Sequence, residues 1–324
     1  MYNMNNSYVL RVVYNKTQPN ARGKICQMDT KKYEVFVKIV EHASLTKAAE
    51  ELGLTQSGVS HMLSAMEEEL GFALLKRSRT GAKLTAEGRA LLPYIREIAA
   101  QERQLREEAE RLRGVTAGEV RIGTFTSVAT HWLPGMMKEF QSHYPAVEFR
   151  LFNGDYHDVD GWLSDGSVDL GFITLPAAGD WEYIPLLEDP LLAVLPVGHP
   201  LAAQALCKTE EVAREPFISL LESSDHDARR ALDAVGLKPN VKFTTKDDYA
   251  IVAMVEQGLG VSIMPRLLLR GLNRSVVTRP LSPAVSRTLA LAIPAGKKAG
   301  PAARAFAEFA AAWVKSEELG VAGP

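Results

Sequence analysis

The chain has 324 residues, of which 46% are hydrophobic and 23% charged, with a formal net charge of −2. That balance suits two or three globular domains with cores of their own, needing neither a metal nor a disulfide as a staple. Cys26 and Cys207 form no CxxC pair, no run of about 18 apolar residues offers a membrane span and no apolar leader core opens the chain, so a protein of the reducing cytoplasm is expected.

Residues 1–27 are polar and carry Arg11, Lys16, Arg22 and Lys24 without an acid. Met28 directly precedes a helical pattern, so the expectation is a natural start there, with 1–27 an upstream extension; a basic arm is the alternative. Tyr33, Phe36, Val37 and Val40 then recur at helical spacing over Asp29 to His42. Ser44 offers an N-cap to a second helix, which turns Leu45, Ala48, Ala49 and Leu52 inward. After Gly53, Thr55 can cap a third helix running to Leu70, with Gly71 ending it.

The third helix has two contrasting faces. Val59, Leu63, Met66 and Leu70 form an apolar stripe, whereas Ser57, Ser60, His61 and Ser64 share another face, with Gln56 at the helix start. An ordinary solvated face carries more Glu and Lys. Short uncharged side chains let a helix sink into a DNA major groove, and Gln can bond an adenine edge through both ends of its amide. Thr46, in the first turn of the second helix, joins these candidates. Next comes a pair of short strands, Ala73–Lys76 and Ala82–Thr85, around a tip at Ser78–Gly81, with Gly81 as the expected turn and Lys76, Arg77, Arg79 and Lys83 as four bases without an acid. Alone, such a run is usually a solvated loop; directly after a two-helix reader it predicts a wing that reaches phosphates or the minor groove.

From Phe36 to Gly88 the segments Ser44–Leu45–Thr46–Lys47–Ala48–Ala49–Glu50–Glu51–Leu52, Thr55–Gln56–Ser57–Gly58–Val59–Ser60–His61, Leu74–Leu75–Lys76–Arg77 and Leu84–Thr85–Ala86–Glu87–Gly88 resemble the LysR-type transcriptional regulators. The resemblance implies a winged helix-turn-helix DNA-binding domain over 28–85, with the helix-turn-helix at 45–64. His61 stands where many members have Arg, and Arg79 lies one position early; both bear on base preference.

The stretch 86–114 reads as one long helix with Pro93 in its first turns. Its apolar positions Leu91, Leu92, Ile95, Ile98, Ala99, Leu105, Ala109 and Leu112 stand among Glu, Arg and Gln. Such a helix can pack on its own domain or pair with a second copy; the resemblance implies a dimerising linker. Beyond Gly118, strands expected at Glu119–Thr124, Val147–Asn153 and Val168–Thr174 alternate with helices at Ser127–Tyr144 and Val159–Asp165, which indicates a parallel α/β sheet. A second α/β unit spans Ala193 to Met264, and a strand at Thr288–Ile293 and a helix at Pro301–Val314 return to the first. Val120–Arg121–Ile122–Gly123, Leu133–Pro134, Tyr144–Pro145, Val168–Asp169–Leu170–Gly171, His199–Pro200–Leu201 and Gly258–Leu259–Gly260–Val261–Ser262–Ile263–Met264–Pro265 resemble the effector domain of the same family. The fold class implied is multidomain: a winged helix, a linker helix and a two-lobed α/β effector domain like periplasmic binding proteins. That domain would cover 115–324, with lobe 1 at 119–190 and 277–320 and lobe 2 at 191–276.

Ligand sites in such sheets lie at the carboxyl ends of strands. Thr126 and Ser127 follow the first strand, and Ser127 is the first candidate for an effector contact. Ile173 and Thr174 end another strand, while Ser219, Asp225, Asp247, Asp248, Tyr249 and Ser262 face them from the second unit. N-capping alone accounts as well for Asp247 and Asp248. A carboxylate effector, an organic acid or amino acid, is the default, whereas the two aspartates could select an amine or hydroxyl. GxSxG, P-loop, GxGxxG and HExxH motifs are absent, and the seven histidines have no metal-ligand spacing, so no enzyme, cofactor or metal is expected. A DNA-binding protein whose α/β half merely oligomerises is the other alternative. Expected partners are promoter DNA, the effector, a second copy or four copies, and RNA polymerase.

Overall fold

The computed structural model describes residues 30–78, 81–112, 118–221, 226–294 and 299–321. The expected extension at 1–27, Arg79 and Asp225 therefore lie outside the described residues, as do the side chain of Arg77 and residues 113–117.

The reading head comprises α1 (Thr30–His42), α2 (Leu45–Glu51), α3 (Gln56–Leu70), the hairpin β1 (Leu75–Ser78) and β2 (Gly81–Leu84), and the start of α4 (Ala86–Leu112). Local chemistry sets the ends. The Ser44 hydroxyl accepts from the Lys47 N–H at 3.3 Å and the Thr55 hydroxyl from the Gly58 N–H at 3.1 Å. Gly71, at φ +82°, supplies the left-handed C-cap of α3. Phe36, Ile39, Leu63 and Met66 fill the core between the helices, and Leu92 and Ile95 of α4 close it. Gly81 differs from its expected role as the turn: it opens β2 opposite Ser78, at φ +122°. A Cβ there would sit 2.4 Å from the Ala43 carbonyl oxygen, which the neighbouring Ala82 N–H meets at 2.8 Å.

A second close approach joins the wing to α4. Thr85 caps α4 through the Gly88 N–H at 2.9 Å and donates to the Ala73 carbonyl at 2.9 Å, while a Cβ on Gly88 would lie 2.1 Å from the Leu74 carbonyl oxygen. Gly88→Ala should therefore cost about 1–3 kcal/mol through overpacking, outweighing the roughly 1 kcal/mol that Ala gains over Gly in a helix. A urea midpoint for the reading head at or above wild type would show that α4 can slide off the wing.

The α/β half opens with β3 (Gly118–Thr124), α5 (Thr126–His131), α6 (Leu133–His143), β4 (Val147–Asn153), α7 (Tyr156–Asp165) and β5 (Leu170–Leu175). The 16-residue β6 (Trp181–Pro196) leads into β7 (Cys207–Lys208), α8 (Thr209–Arg214), β8 (Pro216–Leu220), α9 (His226–Asp233), β9 (Asn240–Thr245), α10 (Asp248–Glu256) and β10 (Ser262–Pro265). The chain returns through β11 (Val276–Ser282), β12 (Ser286–Pro294) and α11 (Pro301–Val321). The single helix expected over Ser127–Tyr144 is two, because Pro134 lies in the first turn of α6 and cannot donate the bond that would continue α5. The helix expected from Val159 begins at Tyr156, where Asp155 and Asp158 form a capping box.

The sheet is mixed rather than parallel. β3 pairs parallel with β4 and β5, but β12 runs antiparallel to both β5 and β6. The reason is that β6 crosses from one lobe to the other: its first half pairs with β12, its second with β10 and β11. The returning chain can then only lie antiparallel beside it. The first lobe packs around Trp132, Phe140, Phe172 and Phe306, and the second around two clusters, one with Phe217, Val261 and Leu281, the other with Ile218, Val252 and Met264.

Candidate DNA-reading face and effector cleft

On α3, Val59, Leu63 and Met66 are buried, so the opposite face is turned outward. Gln56, Ser57, His61 and Ser64 are exposed, Ser60 is half-buried, and Thr46 is exposed at the start of α2. The Thr55 and Ser57 hydroxyls lie 3.1 Å apart, which places Ser57 beside the cap. The wing stands next to this face because Glu67 of α3 accepts the Leu74 and Leu75 N–H groups at 2.7 and 3.1 Å. In the wing, Lys76 pairs in register with Lys83 and both are exposed; Arg77 stands opposite Ala82. Like charges directly opposite on two strands repel, and an intervening anion such as a phosphate relieves the repulsion.

The face of α4 is divided. Leu92 and Ile95 are buried, whereas Tyr94, Ile98, Leu105 and Leu112 are exposed, Leu105 at 71%. Ile98, Leu105 and Leu112 recur every seven residues, the spacing of a helix-pairing seam. Ion pairs tie the head and α4 to the first lobe: Arg96 to Asp165, Arg103 to Asp169 at 2.6 Å, and Arg150 of β4 to Glu41 and Glu51 at 3.0 and 3.1 Å. Burial opposes the Glu51 charge, but Lys38, His42 and Arg150 outweigh it and hold the carboxyl at about 2. Asp169 also accepts from buried Arg121 at 2.9 Å, so one carboxylate joins linker and lobe.

Between the lobes lies a cavity of about 250 Å³. The first lobe contributes Phe125, Thr126, Ser127, Tyr156 and Arg287; the second contributes Asp227, Lys246, Asp248, Ile251, Met264 and Leu268. Arg287 of β12 is its organising group. The guanidinium is 2% exposed and donates through Nε and Nη2 to Asp189 at 3.0 and 2.8 Å. Nη2 also donates to the Ser127 hydroxyl at 2.9 Å, while Nη1 donates to the Tyr156 hydroxyl at 2.5 Å and to Asp227 at 3.1 Å. Phe125 lies against the guanidinium, 5.5 Å from ring centre to Cζ. Burial opposes the charge on Arg287, yet Tyr156, Asp227 and Asp189 outweigh it and hold the guanidinium above its ordinary range. Tyr156 in turn donates to Asp227 at 2.7 Å, and burial pushes its phenol well up. Asp227 belongs to the second lobe and its partners to the first, so the network spans the cleft.

The sequence candidates divide accordingly. Thr126, Ser127, Asp248 and Ser262 line the cavity. Ser262 donates its hydroxyl to the Ile218 carbonyl at 2.8 Å, and Ser127 is bound to Arg287. Asp247 caps α10 by accepting from the Tyr249 and Ala250 N–H groups at 2.9 and 3.2 Å, and neither it nor Tyr249 lines the cavity. Ile173 and Thr174 face β12 within the sheet, and Ser219 lines a different depression beside Leu232 and Val241. Sequence reading missed Arg287, Asp189, Tyr156, Asp227 and Lys246. Arg287 stands next to a run of alternating apolar residues and had only its charge within that strand as a signal.

An outward-facing small-polar helix beside a basic wing, joined by a long helix to a two-lobed domain with a cleft, defines a ligand-responsive DNA-binding protein. The comparisons agree: residues 30–89 match the bacterial regulatory helix-turn-helix model of the lysR family, and residues 113–315 match the LysR substrate binding domain. The chain belongs to the LysR family of transcriptional regulators. The HTH-type transcriptional regulator YvbU of Bacillus subtilis is 34% identical over 280 residues, covering 86% of this chain and 96% of the relative. A full-length OxyR variant from Pseudomonas aeruginosa shares the fold at a TM-score of 0.73 and 24% identity, over 89% of this chain and 95% of that one. CbnR in complex with its target DNA does so at 0.60 and 18% identity, over 87% and 99% of the two chains.

Proposed function

We propose that this regulator reads its operator as a dimer and is switched by a small molecule held between its lobes. Gln56, Ser57, Ser60, His61 and Ser64 enter the major groove, Thr46 contacts the adjoining backbone, and Lys83 with Arg77 and Arg79 holds phosphates or the minor groove. The observation that carries this is the exposed, uncharged edge of α3 beside the facing lysines of β1 and β2. The exposed seam of α4 receives the same seam of a second copy, which presents two reading heads to a twofold site. Pairs of dimers form a tetramer through the effector domains, and promoter-bound copies contact RNA polymerase in the cytoplasm.

A ligand in the cleft meets both lobes, and the first lobe is tied to the head and linker by Arg96, Arg103 and Arg150. A change in lobe closure therefore resets the spacing of the two heads and the bend of the DNA. Of the ten sequence candidates, Thr126, Ser127 and Asp248 are assigned to the effector, joined by Asp227 and Tyr156.

Gln56→Ala and Lys83→Ala should fail differently in a competition gel shift. Gln56→Ala removes a base contact, so discrimination between operator and scrambled DNA falls by about 1–3 kcal/mol at the contacted base. Lys83→Ala weakens both DNAs alike and lowers the salt slope by about 1. Unchanged operator preference in Gln56→Ala would remove α3 from the groove.

A further inference from the structure

We infer that the cleft accepts a small ligand bearing a protonated nitrogen, an amine or guanidine on a short apolar body, and rejects free carboxylates and phosphates. The inference rests on the reading of the cleft as the effector site and gives that site its ligand chemistry.

The first ground is the state of the buried cation. A guanidinium has five N–H donors. In Arg287 the five bonds to Asp189 (two), Ser127, Tyr156 and Asp227 use all of them. An incoming carboxylate would have to displace one of these partners, two of which are themselves carboxylates. The arginine is thus part of the wall and not an anion clamp.

The second ground is charge. The cavity lining carries Asp155, Asp158, Asp227 and Asp248 against Lys246 and Arg287, and Asp189 stands directly behind Arg287. Asp155 and Asp158 are taken up in the capping box of α7. Lys246 is exposed at the rim, where solvent and salt screen it. That leaves the Asp227 and Asp248 carboxylates, both from the second lobe, as the charges a ligand meets inside. Asp227 gives one oxygen to Tyr156 and Arg287, while its other oxygen, Oδ1, is buried without a hydrogen-bond partner among the described residues. A buried unfilled carboxylate oxygen is costly and calls for a donor. Burial pushes the Asp248 carboxyl up against the opposing pull of Thr126 across the cleft, and a nearby cation would bring it down.

The third ground is shape. Leu220, Ile251, Met264 and Leu268 supply an apolar side to the cavity. At about 250 Å³ it falls below the roughly 300 Å³ at which drug-sized sites begin. A four- or five-carbon chain ending in a charged nitrogen fits that combination. Its N–H donors would reach Asp227 and Asp248, and Asp227 is the residue through which the second lobe now holds Tyr156 and Arg287, so binding would act on the contacts that set lobe closure.

The test is calorimetric titration of the full-length protein with butylamine, 1,4-diaminobutane and 4-guanidinobutylamine, against butyrate and butanedioate as acids of similar length. We expect the nitrogen bases to bind, the acids not to, and affinity for the bases to fall at least tenfold in Asp248→Asn. Lys246→Gln, which removes a like charge from the rim, should strengthen base binding severalfold and guards against a folding defect in the first variant. Preference for the acids, absence of binding by every base, or equal base affinity in wild type and Asp248→Asn would each overturn the inference. Acid preference combined with altered operator bending would still leave an effector-gated regulator. Base binding that leaves operator bending unchanged would keep the ligand class and sink the gating.

Discussion

Asp189→Asn is expected to destabilise the effector domain by about 3–5 kcal/mol, the cost of breaking a buried ion pair on one side. Asp189 is fully buried and Arg287 2% exposed, so neither finds water when its partner is lost. Asn cannot take over the geometry. One carboxylate oxygen accepts from the Leu267 N–H at 2.9 Å and the other takes two bonds from Arg287, so both positions demand an acceptor. An amide offers one acceptor and places an NH₂ against a donor at the other. The melting temperature of the effector domain should drop by roughly 6–20 °C, at roughly 2–4 °C per kcal/mol for a domain of this size. The reading head has a separate core around Phe36 and Leu63, so its own denaturation midpoint should hold. Replacing both partners, Asp189→Leu with Arg287→Met, should recover only part of the loss, because the Leu267 N–H is left without its acceptor and Asp227 without its cation. A single Asp189→Asn variant melting within about 2 °C of wild type would mean that Asp227, Tyr156 and Ser127 suffice to hold the guanidinium.

Leu105→Asp should abolish high-affinity operator binding without touching either core. Leu105 is 71% exposed at the middle of the seven-residue spacing Ile98, Leu105, Leu112, so in a single chain a charge there costs little. In a paired helix it would bury an unpaired carboxylate at the centre of the seam. The protein should sediment as a monomer at micromolar concentration. Two linked heads on one site gain about 10²–10⁴-fold over a single head, and that factor should disappear from the gel shift. A variant that stays dimeric and binds operator within threefold of wild type would place the dimer contact elsewhere in the chain.

The features legible in the sequence are those whose causes lie within a few residues. The caps at Ser44, Thr55 and Gly71, the two faces of α3 and the presence of a basic hairpin after it follow from spacings of two to four residues or one short turn, whereas the register that sets Lys76 opposite Lys83 came from the structure. Together with motif order they were enough to show the LysR family and the class of fold. The parallel pairing expected for β3, β4 and β5 is present, but alternation of strands and helices does not reveal that β6 runs through both lobes and that β12 lies antiparallel beside it. The cleft candidates were chosen for their positions at strand ends, which says where a residue is but not what it already binds. Asp247 was spent on a cap and Ser262 on a carbonyl. What only the tertiary structure decided is the Arg287 network, whose members stand 60 to 160 residues from Arg287 in the chain. No periodicity couples such residues. They meet because burying an arginine obliges the fold to bring carboxylates and hydroxyls to every one of its donors.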